Sequence, residues 1–331
     1  LALLATVPAD PVTARPTASG RRPVAVTARP IEAFRPSEPT QRRFGPLEFL
    51  GGLILESDDP EFGGLSGLRA TDHGRALLAI TDEGNWLAAR LATDDTGRPT
   101  GIADVEMAPI LDDAGRRLRG KRWADAESLT LHRVDGALEA RVGFEGRHRV
   151  TAHRGGTDLR SIMTAPGRPV AVPAEIAGLA RNEGLEAMAA GPAGSPLVLI
   201  AEAPDAGATT IPGWIVGGPA PGRFRLATES GFAATDAAFL PSGDLLVLQR
   251  RLSFFGGFSM RLVRVAAADL RPGATVAGEL LLASQGGDEI DNMEGLSVDT
   301  APDGATLLTL VSDDNFFWLQ RTVLLRFRLV D

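Results

Sequence analysis

Asn292-Met293-Glu294-Gly295-Leu296 opens a stretch that runs through the turn Pro302-Asp303-Gly304 to Leu310-Val311-Ser312-Asp313. A polar, a small and an apolar residue start one strand, a turn follows, and a second strand ends on a polar group. Short apolar or alternating runs bounded by Gly, Pro and Asp read as strands, being too brief and too often interrupted for helices. The same order recurs upstream. Ser66-Gly67-Leu68 leads through Asp72-His73-Gly74 to Ala79-Ile80-Thr81-Asp82, and Glu127-Ser128-Leu129 leads through Asp135-Gly136 to Val142-Gly143-Phe144-Glu145. Glu183-Gly184-Leu185 leads to Leu199-Ile200-Ala201-Glu202, and Asp236-Ala237-Ala238 leads through Pro241-Ser242-Gly243 to Val247-Leu248-Gln249-Arg250.

The leading polar residues of these units, at 66, 127, 183, 236 and 294, lie 61, 56, 53 and 58 positions apart. Each interval holds two further strand-like runs, such as Trp214-Ile215-Val216 and Arg223-Phe224-Arg225-Leu226, or Met260–Val265 and Ala277–Leu282. Four antiparallel strands per unit at this period describe a β-propeller. The expected fold is therefore all-β: five four-stranded blades, or six if one of the longer intervals conceals another. The last unit runs out after its third strand, Thr322–Leu329, while Leu47–Ser57 is left over at the front. An N-terminal strand that completes the last blade would close the ring and hide its edges. Residues 47–331 then form a single domain.

Residues 1–46 have a different texture. The apolar run Leu1-Ala2-Leu3-Leu4-Ala5-Thr6-Val7 reads either as the end of a secretory signal or as a frayed apolar tail. Export, periplasmic or secreted, is the expectation, and the Pro/Arg-rich stretch to residue 46 is read as a linker without secondary structure. No later segment has the ~20 apolar residues a membrane-spanning helix requires.

The chain has 331 residues, no Cys, and 42 acidic against 34 basic residues for a net charge of −8. Disulfide scaffolds, thiolate nucleophiles and Cys-ligated metals are excluded, and the acidity argues against nucleic acid. Lys121 is the only lysine. Gly64-Leu65-Ser66-Gly67-Leu68 does not fit a Gly-x-Ser-x-Gly elbow, Gly120-Lys121-Arg122 is no phosphate loop, and the four histidines lack zinc-binding spacing.

In a propeller the first strand of each blade lines the central channel, and the turn before it opens on one face. Ser66, Glu127, Glu183, Asp236 and Glu294 should rim that mouth. Asp82, Glu145, Glu202, Arg250 and Asp313, ending the antiparallel second strands, should reach the same face. Eight of these ten are carboxylates, which repel one another unless neutralised. Ca²⁺ accepts several carboxylate and carbonyl oxygens in flexible geometry and would resolve the crowding. Turn capping and glutamate–arginine pairs are the structural alternative. Glu127, Glu183, Glu294, Asp313, Asp82 and Glu202 are the candidate metal ligands. Glu127, Glu183 and Arg250 are the catalytic candidates, and Arg147, Arg250, Asn182 and Asn292 the ligand contacts. Two aromatic loops, Ser253–Phe258 and Asn315–Trp318, would flank one opening.

The ordered set Gly63-Gly64-Leu65-Ser66-Gly67-Leu68, Thr81-Asp82-Glu83-Gly84, Asp125-Ala126-Glu127-Ser128-Leu129, Asn182-Glu183-Gly184-Leu185-Glu186 and Asn292-Met293-Glu294-Gly295-Leu296 resembles the phytase-like β-propeller family, also named for esterase-like activity of phytase. The resemblance spans about residues 44–331. It implies an exported bacterial propeller remotely similar to calcium-dependent phytases. Phytase-type sites carry lysines among their arginines, and this chain departs from that pattern. The expectation is a monomeric, Ca²⁺-dependent hydrolase of phosphate or other esters, taking a small anionic or ester ligand in the channel mouth. The alternative is a non-catalytic binding propeller of the cell envelope with a structural cation.

Overall fold

The short apolar runs pair into five sheets. The computed structural model describes residues 20–180, 184–191, 196–203, 208–254 and 256–330. Blade one is Leu65–Thr71, Ala76–Thr81, Asn85–Thr93 and Pro99–Pro109, with Arg22–Pro23 added at its outer edge. Blade two is Ala126–Val134, Ala137–Phe144, Arg149–Arg154 and Arg168–Val170. Blade three is Ala187–Ala190, Leu197–Ile200, Thr210–Val216 and Gly222–Ala227, with Thr275–Val276 parallel on its outside. Blade four is Ala233–Phe239, Leu245–Ser253, Gly257–Val265 and Glu279–Ala283. Blade five is Asn292–Thr300, Thr306–Asp313, Thr322–Leu329 and, from the front of the chain, Leu47–Glu56. Each first strand touches the first strands on both sides, and blade five touches blade one, so the ring is closed.

Closure comes from the N-terminal strand as expected, with Leu55 opposite Thr322 and Leu47 opposite Leu329. There are five blades. The longer first and second intervals contain the short helices Lys121–Ala124, Leu159–Ile162 and Ala174–Gly178 rather than a sixth sheet. Turn chemistry holds where it was read. Asp135 and Gly136 have φ of 49° and 80°, the left-handed pair that a two-residue hairpin requires, and Val134 faces Ala137 across it. Apolar side chains fill the spaces between sheets: Leu246, Leu248 and Leu262 of blade four meet Leu296, Leu308 and Leu310 of blade five. Each such burial is worth ~1.5–3 kcal/mol before entropy is subtracted.

The absence of secondary structure expected before residue 47 is corrected for residues 20–46. Thr27–Ile31 pairs with Leu47–Glu56 as the outermost strand of blade five, and Arg43–Phe44 pairs with the same strand. Phe34 is fully buried, its ring 5.0 Å from Phe44, 5.8 Å from Phe49 and 5.4 Å from Phe327. Arg35 grips the Asp288 carboxylate with two hydrogen bonds of 2.8 and 3.1 Å. The prolines that suggested a linker are tolerated because an edge strand can spare an N–H. Among the described residues no helix is long and apolar enough to cross a membrane.

Candidate functional site: an acidic mouth on the ring axis

The local device that builds the mouth is a β-bulge at the start of the first strand. Pairing with the second strand skips one residue at Ser66, Glu127, Thr235 and Glu294. A bulge leaves its extra residue unpaired and re-aims its side chain. In blade three the pairing begins with Ala187 opposite Ile200, which puts Glu186 in the same place. A second contact fixes this frame. In blades one to three the residue that ends the second strand donates its backbone N–H to the carbonyl two residues before the bulge position: Asp82 to Gly64 (2.9 Å), Glu145 to Asp125 (2.8 Å) and Glu202 to Gly184 (3.0 Å).

The bulge set is therefore Ser66, Glu127, Glu186, Thr235 and Glu294, which corrects two positions. In blade three the place belongs to Glu186, three residues beyond Glu183. Glu183 and Asn182 lie outside the described residues. In blade four it belongs to Thr235, one residue before Asp236. Sequence held the signal in a different alignment: apolar, polar, small, apolar, as in Leu65-Ser66-Gly67-Leu68, Ala126-Glu127-Ser128-Leu129, Leu185-Glu186-Ala187-Met188 and Met293-Glu294-Gly295-Leu296. Glu183-Gly184-Leu185 imitates Glu294-Gly295-Leu296 and draws the alignment off by three residues. The bulge residues without a carboxylate join blades instead. Ser66 Oγ donates to the Ala126 carbonyl (2.5 Å) and Thr235 Oγ1 to that of Met293 (2.9 Å).

Asp82, Glu127, Glu145, Glu202, Glu294, Asp313 and Arg250 come together as expected, and Asp125 and Glu186 join them. Oxygens of Asp125, Glu127 and Glu145 lie within 4.8 Å of one another, and so do those of Glu145, Glu186 and Glu202. Asn292 Nδ2 donates to Glu294 Oε1 at 2.7 Å. Two cations answer this ring. Arg250 reaches Glu202 at 3.4 Å and Glu294 at 3.2 Å, while Lys121 reaches Asp82 at 3.0 Å and Asp125 at 3.5 Å.

Burial, reinforced by neighbouring carboxylates, pushes Glu127 and Glu186 well above the ordinary carboxylate range. The same cause raises Glu145 to about 7 and Asp313 to about 8. Glu294 is also raised by burial, but Arg250 and Asn292 hold it to about 6. Burial raises Asp82 as well, opposed by Lys121. The site is short of positive charge, and its protons stand in for it.

Asp236 sits elsewhere. Arg69 makes two hydrogen bonds to its carboxylate, 2.7 and 2.9 Å, and donates also to the carbonyls of Leu68, Met188, Ala237 and Leu296. Those carbonyls belong to blades one, three, four and five, so the guanidinium lies on the ring axis and closes the channel. Arg69 is three residues along its strand from Ser66, which places the plug roughly 10 Å below the mouth. Arg147 does not enter the mouth. It stacks on the Trp123 ring at 4.3 Å.

Of the aromatic loops, Phe254 is exposed, Phe255 lies outside the described residues, and Phe316, Phe317 and Trp318 are exposed beyond the second strand of blade five. Asn315 and Phe316 both hold positive φ, 48° and 49°, a rare conformation for such residues. Asp313 Oδ1 accepts from the Asn315 N–H (2.6 Å), and Asp314 Oδ1 accepts from those of Phe316 (3.1 Å) and Gly64 (3.0 Å). Gly64, at φ 61°, has no room for a Cβ against the Asp82 carboxylate. Phe316 thereby lines a cavity of about 500 Å³ with Asp82, Glu83, Arg117 and Lys121.

No curated protein matches the chain in sequence. Among solved structures, the catalytic domain of the Coprinopsis cinerea GH62 alpha-L-arabinofuranosidase is 12% identical, with 87% of this chain and 99% of that one covered at a TM-score of 0.52. Kuenenia stuttgartiensis hydrazine synthase is 12% identical over 78% of this chain and 79% of that one, at a TM-score of 0.39. The first likeness shows the fold alone. A family model described as "Phytase-like: Esterase-like activity of phytase" matches residues 60–316, a span that takes in every bulge of the acidic mouth. The chain belongs to this phytase-like family.

Proposed function

We propose that the protein is an exported hydrolase of phosphate or other ester bonds that works with Ca²⁺ in the acidic mouth. The observation that carries the reading is the convergence of eight carboxylates on two cations, with oxygen triads packed closely enough to share an ion. The donor set fits a hard cation: it is all oxygen, and Asp82 Oδ1 and Asn292 Oδ1 are buried without a hydrogen-bond partner. Glu127, Glu145, Glu186, Glu202, Glu294, Asp313 and Asp82 would hold it, and Asp125 and Asn292 would complete the set.

When bound, Ca²⁺ would polarise an ester oxygen and lower the pKa of water. Arg250 has the position and the chemistry to orient an anionic group, since its Nε is buried and unpartnered while its other end is tied to Glu202 and Glu294. A carboxylate of the ring, Glu127 foremost, would accept the proton of the attacking water once the proton that burial keeps on it has been driven off by the cation. Arg69 and Asp236 close the channel behind the mouth, so substrate and product share one opening. The apolar run 1–7 supports export.

The test is hydrolysis of p-nitrophenyl phosphate and p-nitrophenyl acetate with and without EDTA. Turnover that EDTA abolishes and Ca²⁺ restores is expected, and failure on both esters removes the catalytic reading. A purely structural cation is favoured by one observation, that Arg250 of blade four ties Glu202 of blade three to Glu294 of blade five. Under that reading EDTA lowers the melting temperature and there is no turnover to lose.

A further inference from the structure

Beside the mouth, the outer flank of blade two carries a cleft of about 610 Å³ that the acidic site does not use. In a chain of net charge −8, its lining holds five arginines against two aspartates. Two of the five are neutralised: Arg116 by Asp112 at 2.9 Å and Arg117 by Glu61 at 2.9 Å. Arg119, Arg147 and Arg149 have no carboxylate within ion-pair distance among the described residues.

Arg149 is the telling member. It is half-buried, lies over the Phe144 ring at 3.9 Å, and donates only to the carbonyls of Arg147 (3.1 Å) and Trp123. Burial and the nearby Arg147 charge push it down to about 10. A guanidinium desolvated among like charges gains most from an anion, and guanidinium forks match the oxygens of phosphate and carboxylate. Beside these arginines the lining offers apolar surface from Leu118, Val170, Val172 and the Trp123 ring under Arg147, with Asp113, His148 and Thr151 as further polar groups.

We propose that this cleft binds an oxyanion carried on an apolar body, an aryl or alkyl phosphate or carboxylate. The anionic end would meet Arg119, Arg147 and Arg149, and the body would lie against Trp123 and the valines. The inference does not depend on hydrolysis in the mouth, but the two places share a wall. Arg147 follows Glu145 by two residues and Trp123 precedes Asp125 by two, so the cleft lies next to the acidic ring.

The experiment is calorimetric titration of the full chain with phenylphosphonate, which has no ester to cleave, and in parallel with benzoate and inorganic phosphate. Saturable binding of phenylphosphonate, tighter than inorganic phosphate by about tenfold, is expected. Benzoate binding more tightly than phenylphosphonate would assign the cleft to carboxylates, and weaker benzoate binding would assign it to phosphates. Arg147→Gln and Arg119→Gln, both at exposed positions, should each weaken binding about tenfold with an unchanged melting temperature. Glu294→Gln in the mouth should leave it intact. No saturable binding, binding unmoved by both arginine changes, or binding lost with Glu294→Gln would each overturn the proposal.

Discussion

Asp236 and Arg69 show how much one residue's frame decides. As the leading polar group of a blade, Asp236 would belong to the mouth. One position further along the strand, it faces the axis below and meets Arg69. Burial raises its pKa to about 6, while Arg69 and the backbone amides of Leu296 and Ala237 keep it from rising further. The carboxylate is thus ionised at neutral pH and its pairing is complete. Breaking a buried pair by removing one partner strands the other charge, at a cost of about 3–5 kcal/mol, whereas replacing both with apolar groups can be nearly neutral. Arg69→Met should lower unfolding free energy by that amount in urea, and Arg69→Met with Asp236→Leu should recover most of it. A loss below about 1 kcal/mol for the single change would contradict the plug. Nothing in the sequence around Arg69 marked it, because its partners come from four blades and are mostly backbone carbonyls.

At the scale of the element, what the sequence makes visible is periodic and local. Strands bounded by turn residues, the Asp135-Gly136 hairpin and the leftover strand Leu47–Glu56 could all be read, because each rests on two or three neighbouring residues. The bulge was harder to place, since it is a mismatch between two strands, and its apolar, polar, small, apolar pattern competes with other polar-small-apolar matches. Glu186 was hidden for that reason, and Glu183-Gly184-Leu185 offered a competing match. The outer strand Thr27–Ile31 was hidden by its prolines, although Phe34 immediately after it is anchored among Phe44, Phe49 and Phe327. Phe34→Ala should cost about 3–5 kcal/mol of stability in denaturant unfolding, the usual range for emptying a buried aromatic site. A change within 0.5 kcal/mol would return residues 20–46 to the status of a linker.

For the whole molecule, the acidic mouth sets the response to pH. Glu294, Glu145 and Asp313 have folded-state values of about 6, 7 and 8, above their ordinary values of 4.5, 4.5 and 3.8. Between those limits the folded ring binds more protons than the unfolded chain. Its stability is fully present below about pH 4 and is lost as pH rises through 6 to 8. In EDTA the melting temperature should fall from pH 5 to pH 8.5, and millimolar Ca²⁺ should flatten that fall. A melting temperature in EDTA that rises over this interval would mean that the carboxylates are already satisfied.

The same protons offer the most direct test of the cation site. Calcium titrated into chelator-stripped protein at pH 7 should bind saturably and displace protons from Glu145 and Asp313. The apparent heat would then depend on the ionisation enthalpy of the buffer, and binding should weaken at least tenfold in Glu186→Gln. Absence of saturable binding, or binding that Glu186→Gln leaves unchanged, would contradict an oxygen-ligated cation in the mouth.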